Sequence, residues 1–168
     1  MHTAQPAAQA NLAHLQAPLG DRADHPDTIE TRLWLPEHDW LYGLLRSADN
    51  VAPTFRFPDL ISACVSLVFR REDAVGRIFD FLTSALSQRP TDTPRRRESM
   101  WRQQYALLLD VQRSPTNRHP NPKFQLDQLT TACVALCQPL DDAHAQVLRQ
   151  ARVNLAERSA RWRLPRTV

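Results

Sequence analysis

The sequence predicts a mainly helical chain made of two repeated halves, each opened by a short strand. The first observation behind this is a repeat. Residues 55–67 read FRFPDLISACVSL and residues 124–136 read FQLDQLTTACVAL, with Phe55/Phe124, Leu60/Leu129, Ala63/Ala132, Cys64/Cys133, Val65/Val134 and Leu67/Leu136 identical in a gapless overlay. These matches are mostly apolar and fall at helical spacing, the pattern of a buried helix face. The second is composition: 3 glycines against 13 prolines in 168 residues suit helices broken by proline loops better than a sheet with many glycine turns. The third is the alternation at residues 28–35, which ends at Pro36. Two copies are too few for a solenoid. The repeat therefore reads as a fused dimer, two halves that would otherwise be separate subunits.

A hydrophobic share of 42% supports a real core, and no apolar run reaches the roughly 18 residues that a membrane-spanning helix needs. The opening MHTAQPAAQANLAHLQAPLG lacks a positive n-region and a continuous apolar h-region, so no signal peptide is read there. Cys64, Cys133 and Cys137 sit in apolar helical settings, and buried free thiols in a reducing cytoplasm are the expectation. Net charge is +3 and unevenly divided: residues 1–94 carry 8 Lys/Arg against 12 Asp/Glu, and residues 95–168 carry 13 against 6. A basic second half favours contact with a polyanion.

Residues 1–27, rich in Ala, Gln, Pro, His and Asp and without periodicity, are expected to form a disordered arm. The first half is expected over 28–89. In its strand a period of two puts Thr31, Leu33 and Leu35 on one side and Glu30, Arg32 and Trp34 on the other. Pro36 stops the strand and suits a first helical turn. From Glu37 to Ala48, the residues Trp40, Leu41, Leu44, Leu45 and Ala48 form an apolar stripe, with Glu37 and Asp39 where the helix dipole favours acids. Asp49–Thr54 reads as a loop. A second helix from Pro58-Asp59 buries Leu60, Ala63, Cys64, Leu67 and Val68. A third, Arg71–Gln88, runs through Val75, Ile78, Phe79, Leu82 and Leu86. Residues 90–94 are the linker.

The second half, 95–168, repeats the order. Arg95–Met100 takes the strand position, and the helix Trp101–Val111 has Tyr105, Leu108 and Leu109 on one side. A loop at 113–122 and a helix at Asp127–Cys137 follow. A last helix from Asp141 to about Arg161 has Ala145, Val147, Leu148, Ala151 and Leu155 as apolar positions.

An alternating strand, Leu35-Pro36-Glu37 at its junction with an amphipathic helix, a loop and a second apolar helix together resemble a ribbon-helix-helix unit. The likeness is fullest over residues 29–69, and residues 95–137 share it mainly through the second helix. Two units in one polypeptide resemble the single-chain double ribbon-helix-helix proteins that act as accessory factors in plasmid or T-DNA processing. The resemblance implies a mainly α fold with a short two-stranded antiparallel ribbon: a pseudo-twofold tandem with extra helices, its ribbon lying in the major groove of double-stranded DNA. Physical chemistry gives a reason for such a duplication. A lone strand–helix–helix of about 45 residues cannot bury its apolar faces or satisfy its strand's backbone. Tethering makes the pairing intramolecular and frees the strands to differ, so the bound site need not be a palindrome.

A two-stranded ribbon fits the major groove, where outward side chains meet base edges. The resemblance makes Glu30, Arg32 and Trp34 base-reading candidates, together with Arg95 and Arg97 of the second strand, whose register is open by one or two residues. Arg32 can bond guanine in bidentate fashion and Glu30 can accept from cytosine N4. An indole is bulky for that work, and covering core or a protein interface is the other role for Trp34. Arg96 would take a core-facing position, a departure from the family. Arg95–Arg97 also reads as a solvated basic loop, and an exposed arginine run is a natural phosphate contact.

The family holds a phosphate on backbone N–H groups at the N-terminus of its second helix. Phe57-Pro58-Asp59 and Leu126-Asp127-Gln128 take those positions here. Proline removes a donor, and aspartate repels a phosphate unless it turns inward as a cap. Arg56 and Lys123, just upstream, and Arg96 are therefore the phosphate-contact candidates. The C-terminal run Arg158, Arg161, Arg163 and Arg166 is either a solvated tail or a contact to flanking backbone.

Enzymatic chemistry finds no footing. The histidines at 2, 14, 25, 38, 119 and 144 are scattered, and there is no His-Glu-x-x-His, glycine-rich phosphate loop or Gly-x-Ser-x-Gly. Cys133 and Cys137 share a helix face without a third ligand in register, so no metal, cofactor or small-molecule substrate is expected. The expected function is non-catalytic binding of double-stranded DNA. Its setting by resemblance is plasmid maintenance, plasmid transfer or transcriptional repression, with other components of a nucleoprotein complex as further partners and no membrane. Two rival readings stand beside it: a helical protein–protein adaptor that keeps the duplicated fold without DNA contact, and an all-α bundle in which residues 28–35 are merely extended.

Overall fold

The two alternating segments meet. β1 (Thr28–Trp34) and β2 (Arg95–Trp101) form a two-stranded antiparallel sheet, with Ile29 opposite Met100, Thr31 opposite Glu98, Arg32 opposite Arg97 and Trp34 opposite Arg95. The ladder extends by one bond at each end: the Leu35 N–H donates to the Pro94 carbonyl (2.8 Å), and the Arg102 N–H donates to that of Asp27 (2.7 Å). An all-α bundle with unpaired extended segments is thereby overturned. The computed structural model describes residues 27–118 and 121–163. Apart from Asp27, the expected N-terminal arm lies outside the described residues, as do His119 and Arg166.

Six α-helices complete the described chain: α1 (Leu35–Leu45), α2 (Phe57–Phe69), α3 (Ala74–Ser84), α4 (Arg102–Gln112), α5 (Leu126–Cys137) and α6 (Ala143–Arg163). The protein is mainly helical with one short antiparallel sheet. Among the described residues no helix is long and apolar enough to cross a membrane.

Pro36 and Pro58 sit in the first turns of α1 and α2, where a missing N–H leaves no helical bond unmade. α1 ends at Leu45, earlier than its apolar stripe suggests, and Ala48 lies exposed beyond it. The cause is Asn50. Its Nδ2 donates to the Leu45 and Phe55 carbonyls (both 2.9 Å), and its Oδ1 accepts from the Phe55 N–H (2.8 Å). That side chain captures a terminal carbonyl of the helix and reverses the chain. Asn117 does the same between α4 and α5, bonding the Gln112 carbonyl (2.9 Å) and the Phe124 carbonyl and N–H (both 3.1 Å).

α2 and α5 cross at the centre. Leu60, Ile61, Ala63, Cys64 and Val65 of α2 and Leu129, Ala132, Cys133, Val134 and Cys137 of α5 are fully buried. Each large aliphatic side chain among them contributes about 1.5–3 kcal/mol of burial. The elements around this pair are exchanged between halves: β1 packs chiefly on α5 and β2 on α2, while α3 leans on α5 and α6 lies along α2. Side-chain hydroxyls pin the strands. The Trp34 N–H donates to Thr131 Oγ1 (3.1 Å) and the Trp101 N–H to Ser62 Oγ (2.9 Å), while the Thr31 and Thr130 hydroxyls bond each other (2.9 Å).

The third helices depart from the expected stripes. α3 stops at Ser84 and a 3-10 turn, Leu86–Gln88, follows; Ala74, Ile78 and Leu82 face inward and Val75 outward. In α6, Ala145 and Leu155 are exposed, and part of the seat goes to Gln150 and Asn154. These bond each other (2.8 Å), and the Asn154 Nδ2 donates to Ser66 Oγ (3.1 Å), so α6 is registered on α2 by a polar contact within an apolar seam. Cys64, Cys133 and Cys137 are free and buried. Burial pushes the Cys64 and Cys133 thiols well above the usual range.

Candidate nucleic-acid interface

Cross-strand partners share one face of a sheet. The register therefore sorts the ribbon: Ile29, Met100, Thr31, Glu98, Leu33 and Arg96 point to the helices, and the opposite face holds the remaining pairs. On that outer face Thr28 faces Trp101, Glu30 faces Ser99, Arg32 faces Arg97, and Trp34 faces Arg95. Glu98, turned inward, accepts on Oε1 from the His38 Nε2–H (2.9 Å), and the His38 ring stacks on Phe57 (4.6 Å between centroids).

The centre of the outer face is the exposed pair Arg32 and Arg97. Like charges placed directly opposite repel. Glu30 relieves one of them, its Oε1 3.2 Å from the Arg97 Nε. Arg32 has no ion pair or hydrogen bond among the described residues. Ser99, half-buried beside them, completes the centre. It was missed in the sequence because a small polar residue in RRRESM announces nothing, although strict alternation from Arg95 would have put it on this face.

Trp34 is corrected. It is on the outer face by parity but only 3% exposed, so it does not read bases. The strand turns into α1 at this point, and the ring lies under Arg95 (4.3 Å to its centroid), with Arg89 at 5.9 Å. Its indole N–H donates to Asp127 Oδ2 (3.4 Å). Arg95 is corrected with it: its Nε donates to the same carboxylate (3.1 Å), and Nη1 donates to the Thr91 and Thr93 carbonyls (3.3 and 2.9 Å). It is a lid on the tryptophan. Arg96 falls on the helix-facing side, opposite buried Leu33, yet stays exposed.

The other end of the ribbon is built alike. The Trp101 indole N–H donates to Asp59 Oδ1 (2.9 Å), and the Arg158 guanidinium lies 3.9 Å above the ring while pairing with Asp59 (3.1 Å). Burial lowers the Arg158 pKa, with Asp59 opposing and Arg161 adding to the fall. Asp59 also accepts the N–H of Arg56 on Oδ2 (3.1 Å), as Gln128 Oε1 accepts that of Gln125 (2.9 Å). Both first-turn aspartates are thus turned inward, Asp59 as a cap and Asp127 toward Trp34 and Arg95. Arg56 and Lys123 are exposed just upstream of these turns.

An open cleft of about 530 Å³ runs along the β1 edge of the ribbon toward Arg95 and Asp127, lined by Glu30, Arg32, Arg95, Tyr105 and Asp127 among others. Among the described residues no group of three His, Cys, Asp or Glu side chains is placed to hold a metal. Comparison with protein-family models, with curated proteins and with solved structures finds no match in any of the three.

Proposed function

We propose that the chain is a tandem ribbon-helix-helix protein that binds double-stranded DNA through the outer face of its ribbon. The observation that carries this is the antiparallel pairing of the two strands with Arg32 and Arg97 side by side at the centre of an exposed face. Such a ribbon fits the major groove, and each arginine offers the planar fork that guanine O6 and N7 accept. Glu30 pairs with Arg97 across the strands, and on a G·C pair it exchanges that partner for cytosine N4. Arg56, Arg96 and Lys123 supply phosphate contacts around the centre.

The pseudo-twofold arrangement has its own support. One shift carries Thr28–Trp34 onto Arg95–Trp101 and Leu35–Leu45 onto Arg102–Gln112; a shift two residues longer carries Phe57 onto Leu126 and Ala74 onto Ala143. The difference is absorbed where Asn50 reaches Phe55 across 5 residues and Asn117 reaches Phe124 across 7. The hydroxyl pins at Ser62 and Thr131 match as well, and each tryptophan indole bonds a first-turn aspartate, although Asp59 and Asp127 are one position apart in the overlay. Plasmid maintenance or transfer, or repression, within a larger nucleoprotein complex is the setting that the resemblance favours, and buried free cysteines suit a reducing cytoplasm.

The test is a gel shift with a mixed-sequence duplex across a salt series. Affinity should fall linearly in log–log form as salt rises, and salt-independent binding would remove the electrostatic premise. One observation favours an adaptor on the same scaffold instead: carboxylates stand in the first turns of α2 and α5, where a phosphate would otherwise sit. Failure to retain duplex at low salt would decide for that reading.

A further inference from the structure

The two third helices differ in length, and the difference falls at one end of the ribbon. α3 and α6 start at matching residues, Ala74 and Ala143, but α3 stops at Ser84 while α6 continues to Arg163. α6 runs antiparallel to α2, since Asn154 bonds Ser66 late in α2 and Arg158 pairs with Asp59 in its first turn. Beyond Asp59, α2 extends back only to its cap, Arg56, about 4.5 Å away at 1.5 Å per residue. α6 continues from Arg158 to Arg163, about 7.5 Å. Its last turn overhangs its seat.

The stripe of α6 that packs on α2 continues into this overhang. Val147, Ala151, Asn154, Arg158 and Trp162 follow one another at spacings of three and four, so they share a side. Val147, Ala151 and Asn154 are buried, but Trp162 is 60% exposed. Arg161 reaches Gln103 in the first turn of α4, which anchors the overhang beside the Trp101 end of the ribbon. The segment 158–163 holds three arginines and no acid. The first-half positions that match 161–163, namely Asp92, Thr93 and Pro94, lie in the linker and carry an acid.

We propose that the overhanging turn, through Arg161, Trp162 and Arg163, is a second contact with the duplex that the ribbon binds, engaging the backbone on the flank beyond Trp101. This rests on the DNA reading above and adds a direction to it. The occupant is a sugar–phosphate backbone because segment 158–163 carries three arginines and no acid and sits beside the outer face, linked to it by the Arg158 guanidinium on the Trp101 ring. An exposed indole beside arginines suits deoxyribose, and the arginines suit the phosphates. With no counterpart in the first half, the footprint is lopsided.

The experiment selects duplex from a randomised library with the full chain and footprints the recovered DNA with hydroxyl radicals. Protection should run further on one side of the site. In the double variant Arg161→Ala/Arg163→Ala that flank alone should open, and the salt slope of log K should shrink by about 1.8, near 0.9 per lost contact. The variant Arg161→Lys/Arg163→Lys should keep both. Symmetric protection by the parent chain, or an alanine variant with unchanged flank and slope, overturns this proposal and leaves the ribbon reading standing. Recovery of no duplex at all overturns both.

Discussion

Asn50→Ala is the sharpest test of the proposed duplication, because the same side chain recurs as Asn117. The Asn50 amide is 3% exposed and makes three bonds, to the Leu45 carbonyl, the Phe55 carbonyl and the Phe55 N–H, at 2.8–2.9 Å. Alanine removes all three and supplies no substitute, leaving the Leu45 carbonyl and both backbone groups of buried Phe55 without this partner. At about 1 kcal/mol net per bond, the cost is about 3 kcal/mol. Asn117 is 1% exposed and bonds the matching groups at 2.9–3.1 Å, so Asn117→Ala should cost the same to within about 1 kcal/mol. Urea unfolding followed by tryptophan fluorescence reads this directly. With a slope of about 2 kcal/mol/M, both midpoints should drop by about 1.5 M with the slope unchanged. A loss under about 1 kcal/mol in either variant, or unequal losses, would refute the argument that both turns are held by one device.

Two further outcomes follow from the same geometry. Arg32→Ala should leave stability within about 0.5 kcal/mol, since Arg32 has no internal partner among the described residues; duplex affinity should fall by about 1–3 kcal/mol with relaxed preference at the site's centre, measured by competition binding. The Cys64 and Cys133 thiols, raised well above the ordinary range mainly by burial, stay protonated in the fold while unfolded thiols ionise near pH 8.5. The unfolded state then binds fewer protons, so the stability from these groups is present below about pH 8.5 and declines as pH rises further, by on the order of 1 kcal/mol per unit per thiol. Urea midpoints at pH 8 and pH 10 for the parent and for Cys64→Ala/Cys133→Ala check this; equal alkaline losses in both proteins would sink it.

Local pattern carried some of this architecture and was blind to the rest. The alternation of β1 is a property of seven adjacent residues, so the faces of Glu30, Arg32 and Leu33 could be read directly. β2 is different: RRRESMW has little strand propensity of its own and is a strand because β1 pairs with it and α2 lies beneath it. The burial of Trp34 depends on Arg89, Arg95 and Asp127, residues far along the chain that no periodicity connects. Asn50 and Asn117 stood in segments legible only as loops, although each sets the end of a helix. The core of α2 and α5 was the most legible part, since apolar spacing there is repeated twice.

Under the proposed duplication, two residue differences and one change of partner between the halves form a single exchange. Thr28 then matches Arg95, Glu37 matches Gln104, and Arg89 matches Arg158. At the Trp34 end, Arg95 comes from the strand, covers the ring at 4.3 Å and takes Asp127; Arg89, held off at 5.9 Å, turns to Glu37 with bonds of 2.5 and 2.8 Å. Glu37 is 2% exposed, and its hydrogen bonds raise the Arg89 pKa. At the Trp101 end the strand offers Thr28, which has no charge, so Arg158 moves onto the ring at 3.9 Å and takes Asp59. No cation is then left for the position of Glu37, and there the chain carries Gln104, whose Nε2 donates to Ser66 Oγ (3.2 Å). Gln104→Glu should therefore cost about 3–5 kcal/mol, the penalty of a buried carboxylate without its partner. Adding Thr28→Arg supplies a cation for the ring and Asp59 and releases Arg158 toward residue 104, so the double variant should recover at least about 1 kcal/mol in a double-mutant cycle. Strict additivity would mean that the two tryptophan ends were assembled independently, and the matched positions would then owe their likeness to packing alone.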